Sequence, residues 1–231
     1  MPLSFPLTPP AVGPASEYFE IERVDHLSPQ TGGRVSGVTA GFPLWRGRWS
    51  LGRALLRATS EDWRAFVSSL RGGQRAFFGR DYGRPFPLAY PKGFLGLTRF
   101  GGGAFDGTAT SWSVNADRDE VTLNGLPANL VLSVGDYVMW KWTGAEISGA
   151  GTARRALVRA VQAATASASG VAVVTVEPPL PTLVPSGAGS TADLANPCCV
   201  MRLDTSQTSL GEKTRSLRID GTIAAVQDLR A

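Results

Sequence analysis

The chain has very few of the residues that enzymes use for acid–base, nucleophilic or metal chemistry. Its 231 residues include one histidine, His26, and two cysteines, the adjacent pair Cys198 and Cys199. Adjacent cysteines rarely bridge each other because the geometry is strained. Without a second cysteine pair or nearby histidines, they cannot complete a zinc site either. The lack of a disulfide framework predicts folding in a reducing cytoplasm.

No arrangement of catalytic side chains is visible in the sequence. His26 follows Asp25 directly, and adjacent side chains diverge on a strand, so the two cannot act as the base and orienting group of a triad. The sequence contains no Gly-x-Ser-x-Gly elbow, phosphate loop or dinucleotide-binding fingerprint. Neighbouring acids such as Glu61 and Asp62 are expected to be solvated or to cap a helix. We therefore predict that the chain has no catalytic residues and no cofactor, and that it is not an enzyme.

One acidic segment superficially resembles the start of a calcium loop. Asn115, Asp117 and Asp119 have the alternating spacing of its first ligands. The sixth position needs glycine for the sharp turn and is Glu120, while the twelfth needs a bidentate glutamate and is Leu126. The segment is therefore predicted to be a polar turn before a strand, and no metal ligands are expected.

The charge is modest and unevenly distributed. The net charge is +4, and residues 1–100 carry 13 basic and 7 acidic side chains, whereas residues 101–204 carry 6 and 9. The nearest approach to a nucleic-acid-binding cluster consists of Arg46, Arg48 and two arginines that follow. We interpret it as the solvated face of a strand, so no specific nucleic acid readout is expected. Neither a signal peptide nor a membrane-spanning run is predicted.

The first hundred residues show the clearest secondary-structure signals. In WRGRWSL, Trp45, Trp49 and Leu51 alternate with polar residues, which predicts a strand with one buried face. A helix is predicted near residues 60–71, capped by Thr59 or Ser60 and ended by two glycines. Its apolar stripe consists of Trp63, Phe66, Val67 and Leu70. The proline-rich lead over residues 2–14 cannot be helical and is expected to extend along a surface.

The rest of the chain reads mostly as short strands. Val121 and Leu123 alternate in DEVTL, and ALVRAVQ and GVAVVTVE form a hairpin pattern around a small polar turn. The segment CVMRL is assigned to the same unit as its last strand. The tail SLRIDGTIAAVQDL alternates at Leu217, Ile219 and Ile223 but is too short to fold alone. It is expected to pair with the sheet of the first segment.

These patterns predict a mainly β fold with two parts. The first is a β-sandwich-like outer domain with one amphipathic helix, completed by the C-terminal strand, over residues 1–103 and 205–231. The second is a small β-barrel inserted over residues 104–204, after the glycine triplet 101–103.

Two pairs of residues are candidates for contacts with other molecules. Trp140 and Trp142 share one face of the strand YVMWKW. They could form a carbohydrate platform, or they could pack in the barrel core or against a neighbouring subunit. Arg46 and Arg48, on the polar face of their strand, are candidate interface residues for acidic neighbours.

The order of these elements resembles the distal tail proteins of long-tailed bacteriophages and their relatives in prophages and gene transfer agents. The resemblance rests on WRGRWSL, then SEDWRAFVSSLRG and QRAFFGRDYG, an insert with GDYVMWKW, and a closing SLRIDGTIAAV. It implies a virion structural protein that forms a homo-hexameric ring at the tail tip, in which the proline-rich lead would serve as an extended arm. The ring would join the tail tube protein to the hub, tip or baseplate proteins after synthesis in the host bacterial cytoplasm. The insert would project outward, and in some members of the family it carries a carbohydrate-binding fold.

Three alternatives remain open at this point. A tail-tube or tail-completion protein is disfavoured because tube subunits commonly have one β-sandwich without such an insert. A carbohydrate-binding module would use Trp140 and Trp142. An enzyme of unknown type would need catalytic residues that the sequence does not reveal.

Overall fold

The computed structural model describes residues 4–29, 31–52, 57–144, 152–212 and 220–229. Within these ranges the chain is mainly β, as predicted, with one α-helix, α1 (Arg57–Ser69), and one 3-10 turn (Gly187–Gly189). No helix in the described ranges is long and apolar enough to cross a membrane. The strands are β1 (Ser16–Glu22), β2 (Asp25–Pro29), β3 (Val35–Thr39), β4 (Leu44–Leu51), β5 (Phe77–Gly79), β6 (Ser111–Val114), β7 (Glu120–Asn124), β8 (Val131–Leu132), β9 (Tyr137–Gly144), β10 (Thr152–Ala160), β11 (Ala164–Thr165), β12 (Ala172–Glu177), β13 (Thr191–Asp193), β14 (Cys199–Leu203) and β15 (Gly221–Gln227).

The first large sheet has the strand order β1-β4-β15-β14-β5, and all its neighbours are antiparallel. The C-terminal strand β15 lies in the middle, between β4 and β14, so it completes the sheet of the first segment as predicted. Leu217 and Ile219, which were expected to start this strand, lie outside the described residues.

Strand β4 has the predicted alternation. Trp45, Trp49 and Leu51 are buried, whereas Arg48 is exposed. Gly47 lies on the buried side, and a Cβ there would come within 2.3 Å of the ring of Trp49. Because Gly47 has no side chain, the ring of Trp49 on the same strand can lie over it.

Helix α1 packs on the same face of this sheet. Trp63, Phe66 and Leu70 are buried and Val67 is partly buried in one core, so the predicted stripe is confirmed. The ring of Phe66 meets the ring of Phe77 on β5 edge-on at 5.4 Å. The predicted caps were wrong: Thr59 and Ser60 lie inside the helix and are buried, because Arg57 and Ala58 are already helical.

The second large sheet has the order β13-β9-β10-β12-β7-β6. It carries its own core, in which Val121 and Leu123 of β7 are fully buried as predicted. The predicted small barrel was wrong in one respect, because the sheet is not closed. The edge strands β13 and β6 do not pair with each other. The segment before β6 meets β13 through an isolated bridge between Thr108 and Asp193, flanked by backbone hydrogen bonds from Ala109 to Ala192 and from Leu194 to Gly107.

The insert also has different boundaries from those predicted. Strand β14, assigned to the insert, pairs instead with β5 and β15 of the first sheet. At the other end, Phe86 and Phe94 pack into the core of the second sheet, well before residue 104. The glycine triplet 101–103 is a turn within this region, closed by hydrogen bonds between Arg99 and Gly103 and between Gly102 and Arg99. The insert therefore lies between β5 and β14.

Strand β9 is shared between the two cores. Val138 and Trp140 face the core of the second sheet, whereas Tyr137 and Met139 are buried in the core of the first sheet. Leu157 of β10 joins them there, and its carbonyl accepts a 2.7 Å hydrogen bond from the indole of Trp45. The hairpin β9–β10 is thus buried on both faces and joins the two sheets.

Candidate interaction surface

The two tryptophans proposed as contact residues are not available to any ligand or partner. Trp140 is fully buried and Trp142 is 8% exposed, and both belong to the core of the second sheet. The ring of Trp140 packs edge-on against Trp112 at 5.5 Å. The interface prediction for this pair was therefore wrong. The physical reason is that β9 has a strand on each side and a core on each face, so its tryptophans have no open side.

Arg46 and Arg48 lie on the outer side of the first sheet but already have partners in the chain. Arg46 pairs with Glu22 at 2.5 Å and lies 3.8 Å from Asp204. Arg48 is exposed and donates a 2.6 Å hydrogen bond to the side chain of Gln207. The charge of Arg46 is therefore largely balanced within the molecule, and contact of either arginine with a neighbouring protein stays a prediction.

The most unusual exposed feature is the hairpin formed by β2 and β3, which we call the hairpin arm (residues 25–39). Every residue of both strands is exposed, including Leu27 at 69%, Val35 at 63% and Val38 at 69%. The register pairs Leu27 with Gly37 and Pro29 with Val35, so Leu27, Pro29 and Val35 share one face. A lone two-stranded hairpin is marginally stable in water. Exposed apolar residues on such an element make it a candidate interaction surface.

The base of the hairpin arm is fixed by its flanking residues. The arm continues directly from β1 and leads into β4, the two strands at one edge of the first sheet. Arg23 forms an ion pair with Glu177 at the end of β12, and the amide of Ala40 donates to the carbonyl of Val24 at 2.7 Å. The arm is therefore attached to both sheets at its base, while its strands are solvent-exposed.

The hairpin arm was not predicted from the sequence, in which the proline-rich lead was the candidate arm. Within the described residues, the lead packs on its own chain. The amide of Leu7 donates to Ala76 at 3.1 Å, and the indole of Trp63 donates to the carbonyl of Val12 at 3.3 Å. The signal in the sequence is local and limited to the Thr-Gly-Gly segment between Leu27 and Val35, which favours a tight turn.

An apolar groove runs between the lead and helix α1. It has a volume of about 420 Å³ and is lined chiefly by apolar side chains, among them Ala11, Val12, Ala65 and Phe66. Asp62 is the charged residue in its lining. Because Val12 is 51% exposed and the groove is open to solvent, it can accept another apolar surface.

A second, more polar cleft of about 650 Å³ separates β1 from the turn before β9. The carboxylate of Glu17 accepts the amides of Tyr82 at 2.9 Å and Gly83 at 2.8 Å. Asp81 accepts the same Gly83 amide at 2.8 Å and the hydroxyl of Tyr137 at 3.0 Å. Burial raises the pKa of Glu17, the two amides oppose that shift, and the nearby Asp81 adds to it.

The contacts across this cleft hold the two sheets together. Glu20 of β1 pairs with Arg159 of β10 at 2.6 Å, and Arg84 donates to the carbonyl of Gly135 at 2.7 Å. In the described part of the chain, no group of three or more His, Cys, Asp or Glu side chains could hold a metal ion. The polar turn predicted at Asn115 is present, since its side chain binds the amides of Asp119 and Glu120.

No model of a known protein family matches the chain, and no curated protein matches it at a significant level of similarity.

Proposed function

We propose that this chain is a virion structural protein, the distal tail ring subunit that links a phage-type tail tube to the tail tip or baseplate. The observation that supports it most is the hairpin arm. An element that exposes Leu27, Val35 and Val38 along two paired strands is costly for a free monomer and useful for a subunit that assembles.

The chain topology also favours this role over that of a tube subunit. The outer sheet is built from the two ends of the sequence, with β15 between β4 and β14. The second sheet is inserted between β5 and β14 and has its own core. This layout fits the resemblance to distal tail proteins, in which a ring-forming domain carries an inserted domain. A plain tube subunit would need no such insert.

The alternative function of a carbohydrate-binding module loses its main support. Sugar platforms need exposed indoles on which a ring can stack, and Trp140 and Trp142 are buried in the core. The proposed role therefore depends on protein–protein contacts, with the tube protein and the hub or tip proteins as neighbours, and it requires no catalytic residue, cofactor or metal.

Immunogold labelling of tailed particles from the source cells would test this role. Antibodies against the purified chain should label one position, the junction between the tube and the tip. Antibodies against the major tube protein serve as the control and should label the whole tube. Label spread along the tube, or no label on particles that contain the tube protein, would contradict the proposal.

A further inference from the structure

We propose that the hairpin arm of one copy of this chain docks in the apolar groove between the lead and helix α1 of the next copy. This inference deepens the proposed function and rests on it, because it names the contact that would link ring subunits. It joins two surfaces of one chain, each of which exposes apolar side chains in the monomer.

The two surfaces lie at different edges of the first sheet. The hairpin arm continues from β1 and β4 at one edge. The groove begins at Leu7, which pairs with Phe77 of β5 at the other edge. Four strand spacings separate these edges, about 19 Å. A contact between unlike surfaces on different sides of identical subunits is heterologous, and such contacts build rings when the rotation closes.

The dimensions of arm and groove match. The groove follows the helix from Thr59 to Ser69, a rise of about 15 Å at 1.5 Å per residue. Strand β3, from Val35 to Thr39, extends about 13 Å. One strand of the arm therefore fits along the length of the groove. The face that carries Leu27 and Val35 would then contact the apolar wall.

The charges are complementary as well. Asp62 is exposed in the groove, and Arg34 is exposed near the tip of the arm, next to Val35. Neither side chain has an ion-pair partner among the residues that the structure describes. On a helix, Ala65 lies one turn from Asp62 on the same face. Arg34 lies just before β3, outside the strand alternation, so its long side chain could reach Asp62 when Val35 lies beside Ala65.

Disulfide trapping between two single-cysteine variants tests the contact directly. Full-length Val35→Cys and Ala65→Cys proteins are mixed under mild oxidation, and the disulfide-linked dimer is measured. We expect a mixed dimer that forms faster than in a control mixture of Val35→Cys with Ser113→Cys, because Ser113 is exposed on β6 of the second sheet. The native thiols should contribute little, because Cys199 is buried and burial raises the pKa of Cys198 to about 11.

Charge reversals added to the Val35→Cys and Ala65→Cys proteins test the orientation of the arm in the groove. Arg34→Asp in the arm protein, or Asp62→Arg in the groove protein, should each slow trapping about fivefold, the factor that a surface ion pair of about 1 kcal/mol corresponds to. The two reversals together should restore the rate. Reversal of Lys92, an exposed cation outside the arm, serves as the control and should leave the rate unchanged.

The results separate this inference from the proposed function. Trapping no faster than in the control mixture, or a disulfide within one chain when both cysteines are placed together, would overturn the arm-in-groove contact. A tail-tip ring found by microscopy under the same conditions would then leave the proposed function standing, with another contact between its subunits.

Discussion

At the scale of a single residue, Trp45 connects the two sheets. Its ring stacks on Phe19 at 5.1 Å, and Tyr137 of β9 meets it edge-on at 5.6 Å. Its indole donates to the carbonyl of Leu157 on β10, and Arg159 lies over its ring at 5.6 Å. Aromatic pairs contribute about 0.5–1.5 kcal/mol each beyond their buried area. The contacts of this residue therefore couple the outer sheet to the insert.

Replacement of Phe66 tests the packing of the helix on the sheet. Phe66 is 7% exposed and packs against the rings of Trp63 and Phe77. Phe66→Ala should lower the free energy of unfolding by about 3–5 kcal/mol, because it removes buried contacts and leaves a cavity. Chemical denaturation measures the change, with Ser68→Ala on the exposed face as the control. A loss below about 1 kcal/mol for Phe66→Ala would show that the stripe does not carry the packing.

Glu17 should give the stability a specific pH dependence. Its pKa in the folded chain is raised above the ordinary 4.5, first by burial. Between the unfolded and folded pKa values the folded state binds more protons, so this group's contribution to stability falls as the pH rises through that window. We expect the free energy of unfolding of the wild type, relative to Glu17→Gln, to decrease from about pH 4 towards pH 7. Urea titrations at several pH values measure this difference, and a constant or rising difference would contradict the assignment.

At the scale of elements, the sequence predicted which faces are buried better than what covers them. The alternation in β4 and the stripe on α1 were correct, because each element has one polar and one apolar side. Strand β14 was assigned to the wrong sheet because Cys199 and Met201 would alternate in the same way in either one. In β9 the alternation is hidden, since Tyr137 and Met139 are buried as well. The hairpin arm faces no core, so burial periodicity could not reveal it.

The position of β15 predicts the effect of a C-terminal truncation. This strand pairs with β4 on one side and with β14 on the other, and its Ile223 and Ala225 are fully buried. A chain that ends at residue 215 would lose both ladders and the middle of the first core, so it should be insoluble or unfolded. Near-UV circular dichroism during heating measures the loss of packing, with a chain that ends at residue 229 as the control. Cooperative melting at the wild-type temperature would contradict the central position of β15.

At the scale of the whole molecule, the surfaces suited to assembly lie apart from the contacts that hold the two sheets together. The hairpin arm extends from the β1–β4 edge, and the apolar groove begins beside β5. The insert is held to the outer sheet by the β9–β10 hairpin and by the Glu20–Arg159 ion pair. An insert fixed in this way could lie at the periphery of a ring while the outer domain forms its contacts. The number of six copies comes from the resemblance to distal tail proteins and stays a proposal.

The most direct measurement is a cryo-electron microscopy map of the tailed particle that contains this chain, with the symmetry at the tube–tip junction determined without imposing it. We expect a closed ring of six copies at that junction. The outer domains would form the wall of the ring and the inserts its periphery. A map that places the chain outside any ring, or with a copy number incompatible with threefold or sixfold symmetry, would contradict it.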